Sequence, residues 1–158
     1  MEYESEENLL NKVEKCLKEN GFLTWREVVP DACEDWDLPY RVDLVFYRDD
    51  IGFIGVEAKN TNSLRSGGKI AKAIKQIDKK YRNQTYFKGN MISRWCILVP
   101  LATCDFEMKL KNEVIVFLRG FLQDFNIELL EYEDESKWKK SKISIGKFFK
   151  NKIEIGGN

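Results

Sequence analysis

Asp43, Glu57 and Lys59 are the residues whose types and spacing could do chemistry together. They lie in two runs rich in strand formers, Arg41–Tyr47 and Ile51–Lys59, joined by Arg48-Asp49-Asp50. Such a pattern reads as a β-hairpin. Side chains alternate along a strand, so Glu57 and Lys59 project to one face. A three-residue turn at 49–51 pairs Arg48 with Gly52 and, counting back, sets Asp43 opposite Glu57. A two-residue turn sets Asp43 opposite Val56 instead, so the functional reading expects the longer turn or a compensating bulge. Two carboxylates held close repel each other, and a hard divalent cation such as Mg²⁺ or Mn²⁺ relieves that repulsion. The cation can polarise a phosphoryl oxygen and lower the pKa of a bound water. Lys59 would orient that water or neutralise charge building on the phosphate. Arg41, two residues before Asp43, shares its face and could touch a phosphate. Gly55 leaves room on that face for a backbone to approach.

Composition removes other chemistries. The chain of 158 residues contains no histidine, which excludes Ser-His-Asp and Cys-His catalysis and histidine-ligated metal sites. Cys16, Cys33, Cys96 and Cys104 show no Cys-x-x-Cys spacing, so they read as packing thiols in a reducing cytoplasm. No apolar run approaches the ~18 residues of a membrane span. The start, Met1-Glu2-Tyr3-Glu4, is acidic, unlike a secretory signal, and the expected location is cytoplasmic.

The elements that must position the trio follow from periodicity. Leu9, Leu10, Val13, Cys16 and Leu17 mark a helix over 4–19, stopped by Asn20-Gly21. Phe22 to Val29 reads as a strand and 31–40 as a loop. After the hairpin, 60–68 is a polar loop. Residues 69–83 form a second helix with Ile70, Ala73, Ile74, Ile77 and Tyr81 on one face. Arg94–Val99 is a buried central strand ended by Pro100, 106–124 a third helix and Ile127–Tyr132 a last core strand. The lysine-rich stretch 136–155 adds an edge hairpin or a loose arm. The expected class is α/β: a mixed central β-sheet flanked by helices, in the order α-β-β-β-α-β-α-β. Residues 1–135 form the core, and 136–158 a lysine-rich extension of the same domain.

The pattern D-x13-E-x-K within this order resembles the PD-(D/E)XK nuclease superfamily, over roughly residues 4–132, and implies a restriction-endonuclease-like core. The resemblance makes Asp43 and Glu57 metal ligands and Lys59 the catalytic lysine. Val42 stands where the motif has its proline. Family members often add an acid from the first helix. The apolar stripe extended one turn back passes through Glu6, the first candidate, with Glu7 next and Glu14 third. The exonuclease branch carries Gln-x-x-x-Tyr on the following helix. Here Gln76 and Tyr81 are one residue further apart, about 140° around an α-helix, so that branch is not implied. Gln76 aligns instead with Lys69, Lys72 and Lys80, a polar stripe suited to a phosphate backbone.

Charge points the same way. The net charge is zero. Yet residues 59–94 hold 10 bases against 1 acid, and 137–152 hold 7 lysines and no acid. Two basic blocks suit a polyanion, with DNA the expected partner. Trp25, Trp36, Trp95 and Trp138 read mainly as core and loop anchors, although Trp36 and Trp138 lie in polar segments where they could stack on bases. The expected activity is Mg²⁺- or Mn²⁺-dependent hydrolysis of phosphodiester bonds in DNA, without a membrane and with a homodimer as one arrangement. Two alternatives remain: a catalytically inactive nucleic-acid-binding module of the same fold, and a regulatory protein binding an acidic partner.

Overall fold

A computed structural model describes residues 5–31, 41–58, 72–81, 85–92, 94–100, 122, 124–133, 140–146 and 153–157. Helix α1 (Glu6–Glu19) is followed by strands β1 (Leu23–Val28), β2 (Val42–Arg48) and β3 (Gly52–Ala58). Helix α2 (72–81) and a small hairpin, β4 (Tyr86–Phe87) and β5 (Asn90–Met91), come next. Strands β6 (Arg94–Pro100), β7 (Glu128–Glu133), β8 (Lys142–Gly146) and β9 (Ile153–Gly156) complete the order.

Seven strands form one sheet in the order β1-β2-β3-β6-β7-β8-β9. The centre, β3-β6-β7, is parallel, and both flanks are antiparallel. The protein is therefore a mixed α/β structure. The 136–155 stretch supplies two strands of this sheet, and Ile143, Ile145 and Ile155 are buried. It extends the core, as the edge-hairpin alternative expected. The third helix lies mostly outside the described residues. Leu122 and Asp124 are helical, and Leu122 is buried.

Each face of the sheet has its own core. One face carries Leu44, Phe46, Ile54, Val56, Ala58, Cys96, Leu98 and Leu130 beneath α1. The opposite face carries Val45, Trp95, Ile97 and Leu129 beneath α2. Residues of β6 thus alternate between two buried faces, which is why this strand reads as a nearly continuous apolar run. Ser5 caps α1 by accepting the Asn8 N–H at 3.1 Å. Such a cap contributes ~1 kcal/mol. Leu9, Leu10, Val13 and Leu17, all buried, contribute roughly 1.5–3 kcal/mol each, so packing outweighs the cap in fixing the helix. Helix α1 meets β8 and β9 here. Cys16 Sγ lies 3.5 Å from the Ser141 carbonyl, and Ile143, Ile145 and Ile155 share the α1 core.

The second helix differs from the expectation in one respect. Its last part, Gln76–Tyr81, is a π-helical turn. Hydrogen bonds five residues apart widen the helix and bring residues i and i+5 over one another. The 140° separation of Gln76 and Tyr81 held only for an α-helix. In the structure the two lie on adjacent turns of one side, with Tyr81 buried and Gln76 half-buried.

Candidate active site

The site is built on the β2–β3 hairpin. Its turn spans 49–51 and is closed by the Ile51 N–H donating to the Arg48 carbonyl at 2.9 Å. Gly52 enters β3 with φ 88°, a value that suits glycine. The register pairs Arg48 with Gly52 and Leu44 with Val56. Carried one step past that last pair, the same count would set Asp43 opposite Glu57, as a three-residue turn requires.

The turn is also anchored. Arg48 binds Asp50 through Nε and Nη2 at 2.6 and 2.9 Å and donates to the Asn20 carbonyl at 2.9 Å. Its guanidinium lies 4.3 Å from the Phe22 ring centre. These contacts tie the turn to the end of α1 and oppose a register slip that would part the two acids.

Beyond Leu44↔Val56 the ladder opens. The Ala58 N–H donates to Asp43 Oδ2 at 2.9 Å. A side-chain carboxylate therefore takes the part of a backbone acceptor, in a charge-assisted bond. This is also where strand alternation breaks. Val28 and Val42 belong to the α2 core, whereas the even-numbered Leu44 belongs to the α1 core. Glu27, beside them on β1, has φ 46°. The irregularity turns the Asp43 carboxylate toward the Glu57–Ala58 peptide.

Glu57 is only 6% exposed, beside Ile97 in the register with β6. Asp43 is half-buried. The acids thus lie at the carboxyl end of β3, where β3 runs parallel to β6. In open sheets with parallel strands this is the end that binds ligands. Two carboxylates with no nitrogen or sulfur donor between them are a donor set suited to a hard cation.

The other expected site residues are distributed as follows. Lys59 and Lys69 lie outside the described residues, as does the Lys80 side chain. Lys72 is exposed on α2. Gln76 is half-buried at the start of the π turn. Arg41 is exposed and pairs with Glu27 at 3.6 Å. Glu6 opens α1, which packs on the face opposite α2, and it is half-buried. Glu7 is exposed. Glu14 is engaged elsewhere: Thr24 donates to it at 2.7 Å, and Arg26 and Lys18 approach within 3.8 and 3.9 Å. Among the described residues no three His, Cys, Asp or Glu side chains gather as a metal-binding group.

Gly55 is not an opening for substrate. A Cβ there would lie closer than 3.0 Å to the Trp95 indole. Trp95 is buried, donates from Nε1 to the Ile92 carbonyl at 2.9 Å and packs on Tyr81 with ring centres 5.1 Å apart. The missing side chain admits this indole, which supports β3 two residues before Glu57. The sequence shows Gly55 and Trp95 without showing that they meet, because that contact needs the β3–β6 register.

At the other end of the parallel strands, Arg94 clasps Glu128 through Nε and Nη2 at 2.6 and 2.8 Å. The Glu128 hydrogen bonds raise the Arg94 pKa. Burial raises the Cys96 thiol well above its usual value, with Glu128 adding to the effect. Among the described residues no helix is long and apolar enough to cross a membrane. The chain matches no family model, no curated protein and no solved structure.

Proposed function

We propose that this protein is a metal-dependent nuclease with a restriction-endonuclease-like core, hydrolysing phosphodiester bonds in DNA. The observation that carries the reading is the meeting of Asp43 with the Glu57–Ala58 peptide at the carboxyl end of β3. Asp43 and Glu57 would hold Mg²⁺ or Mn²⁺. When bound, the metal supplies a Lewis acid for the phosphoryl oxygen and a more acidic water.

The chain's own groups do the rest. The Ala58 N–H fixes the Asp43 carboxylate through one oxygen and leaves the other free to turn outward. Burial strengthens every charge interaction Glu57 makes. Lys59, the residue after Ala58 in the sequence, would steady the phosphate as charge builds on it. Lys72 and Gln76 on α2, with Arg41, would touch the strand on either side of the bond cut.

The test is cleavage of supercoiled plasmid, linear duplex and a four-way junction with Mg²⁺ or Mn²⁺. Wild type should cut at least one substrate, and Asp43→Asn, Glu57→Gln and Lys59→Ala should each lose at least ~100-fold, the scale of one transition-state contact. Wild type that cuts none of the three, with either metal, sinks the reading.

A second reading rests on the same bond. Asp43 accepting from Ala58 is a sufficient structural role for a buried-edge carboxylate, as in a nucleic-acid-binding module that keeps the fold alone. In that case Asp43→Asn, which keeps an acceptor oxygen, leaves DNA binding and every other property unchanged.

A further inference from the structure

The β4–β5 hairpin is anchored more firmly than its four paired residues could manage alone. Phe87 packs edge-on against Trp25 and Phe53, with ring centres 5.0 and 6.1 Å away. Ile92, just after β5, is fully buried and accepts from Trp95 Nε1. On the flank, the Asp31 N–H donates to the Tyr86 carbonyl at 2.7 Å, and Asp31 Oδ2 accepts the Gly89 N–H at 3.0 Å.

The outer side of this rigid hairpin is apolar. Tyr86 and Met91 are cross-strand partners, and they remain 46% and 44% exposed. The turn between them is Lys88-Gly89, with φ 51° and 78°. Positive φ at both positions makes the tight turn that ordinarily takes Asn-Gly. Lysine in the first position is costly in conformation, which points to a use for its side chain. The exposed Lys88 ammonium stands 5.2 Å from the Trp25 ring centre and 5.8 Å from that of Phe87.

The hairpin stands on the sheet face that carries Glu57. Phe53, beneath Phe87, lies four residues before Glu57 on β3, or roughly 13 Å. That is about four nucleotide rises along a DNA strand.

We propose that the β4–β5 hairpin grips an unpaired stretch of the DNA strand, with a base stacked on Tyr86 and Met91 and a neighbouring phosphate on Lys88. The inference rests on the nuclease reading and deepens it, because it selects substrates with single-stranded character a few nucleotides from the bond cut. A tyrosine and a methionine paired across the hairpin, with a lysine in its turn, are residue types suited to a base-stacking surface. Along the sequence, the stretch 59–94 that contains the hairpin holds 10 bases to 1 acid, a balance that suits a polyanion. Asp31, the acid bonded to the hairpin, has its Oδ2 occupied by Gly89.

The experiment measures binding in EDTA, where no metal-dependent cutting occurs. Fluorescence anisotropy compares a labelled oligothymidylate with a blunt duplex, for wild type, Tyr86→Ser/Met91→Ser and Lys88→Asn. Asparagine accepts the positive φ, so the turn survives. The double variant should bind the single strand about 5- to 100-fold more weakly, the range for one lost stacking contact, and the duplex within about twofold of wild type. Lys88→Asn should weaken single-strand binding and shallow its salt dependence by about one phosphate contact. Wild-type affinity in both variants overturns the proposal, as does equal loss on the duplex or no single-strand binding by wild type. A dimer that the double variant converts to monomer, with single-strand affinity unchanged, assigns the face to a second copy and also overturns it. Failure of the nuclease reading is separate: wild type would bind, the variants would lose affinity, and nothing would be cut with either metal.

Discussion

Asp43 Oδ2 accepts the Ala58 N–H at 2.9 Å, across the last step of the β2–β3 pairing. One side chain thereby closes the ladder and is also a proposed metal ligand, so the two roles can be separated by substitution. Asp43→Asn keeps an acceptor and should change stability by less than ~1 kcal/mol. Asp43→Ala leaves a half-buried N–H without its acceptor and should cost about 1–3 kcal/mol. Both should abolish metal-dependent cutting. Urea unfolding beside a cleavage assay reads the two effects. Cutting by the asparagine variant at the wild-type rate would remove Asp43 from the chemistry.

Metal should stabilise the fold through the acid pair. A ligand present at 100 times its dissociation constant adds about 2.7 kcal/mol when it binds only the folded state. Thermal unfolding should shift upward as Mg²⁺ or Mn²⁺ is raised, and Glu57→Gln should flatten the response. An unchanged dependence in that variant places the metal elsewhere.

Gly55→Ala drives a methyl group into the Trp95 ring. Overpacking of this kind costs typically ~1–3 kcal/mol. Trp95→Leu removes the obstacle, so the cost of the alanine should fall in that background. A double-mutant cycle by urea unfolding measures the coupling. Additive losses would mean that the two positions do not touch.

Two thiols should be inert in the native state. Burial, reinforced by Glu19, pushes Cys16 up to about 11, and burial raises Cys96 well above its usual range. At pH 8 Cys16 then has roughly a hundredth of the thiolate of an ordinary cysteine. Alkylation followed by peptide mass spectrometry should show both residues reacting slowly until urea is added. For Cys16 the folded pKa exceeds the unfolded value of 9.0, so its stabilising contribution is complete below about pH 9 and is lost as pH rises toward about 11.

Arg94 and Glu128 form a fork whose acid is 90% shielded while the arginine keeps about a third of its surface in water, at 10% and 31% side-chain exposure. Losing one partner of a fully buried pair costs ~3–5 kcal/mol, and the partial exposure here should lower that to about 2 kcal/mol for Glu128→Leu. Replacing both residues by leucine should restore most of the loss. Losses at Arg94 and Glu128 that simply add in the double variant would deny the pair any coupling.

Much of the frame is legible before any coordinates. The apolar period of α1 and the apolar run of β6 each have one physical reading, and the structure follows them; the hairpin turn left two registers open, and the structure takes the three-residue one. The β4–β5 hairpin escapes that reading because two-residue strands have no period, and Lys88-Gly89 is a weak turn signal beside Asn-Gly. The π turn escapes for another reason. Placing Gln76 and Tyr81 by α-helical angle assumes the hydrogen-bond spacing that this segment abandons. The Glu57 neighbourhood depended on register, which the three-residue turn made countable. The Gly55–Trp95 contact depended on pairing between strands forty residues apart, and no local pattern encodes that. The lysines at 142 and its neighbours hid two core strands, since three isoleucines alternating with polar residues bury one face only.

The joining of α1 to β8 and β9 also governs when the molecule can exist. Synthesis runs from Glu6 toward Ile155 at ~5–20 residues per second, so the helix emerges roughly 6–30 s before the strands it will meet. Throughout that interval Leu9, Val13 and Leu17 have no Ile143, Ile145 or Ile155 to cover them. Until then β2, β3, β6 and β7 can cover the helix only in part, and a ribosome stalled before residue 143 would release a species prone to clump rather than a smaller working protein.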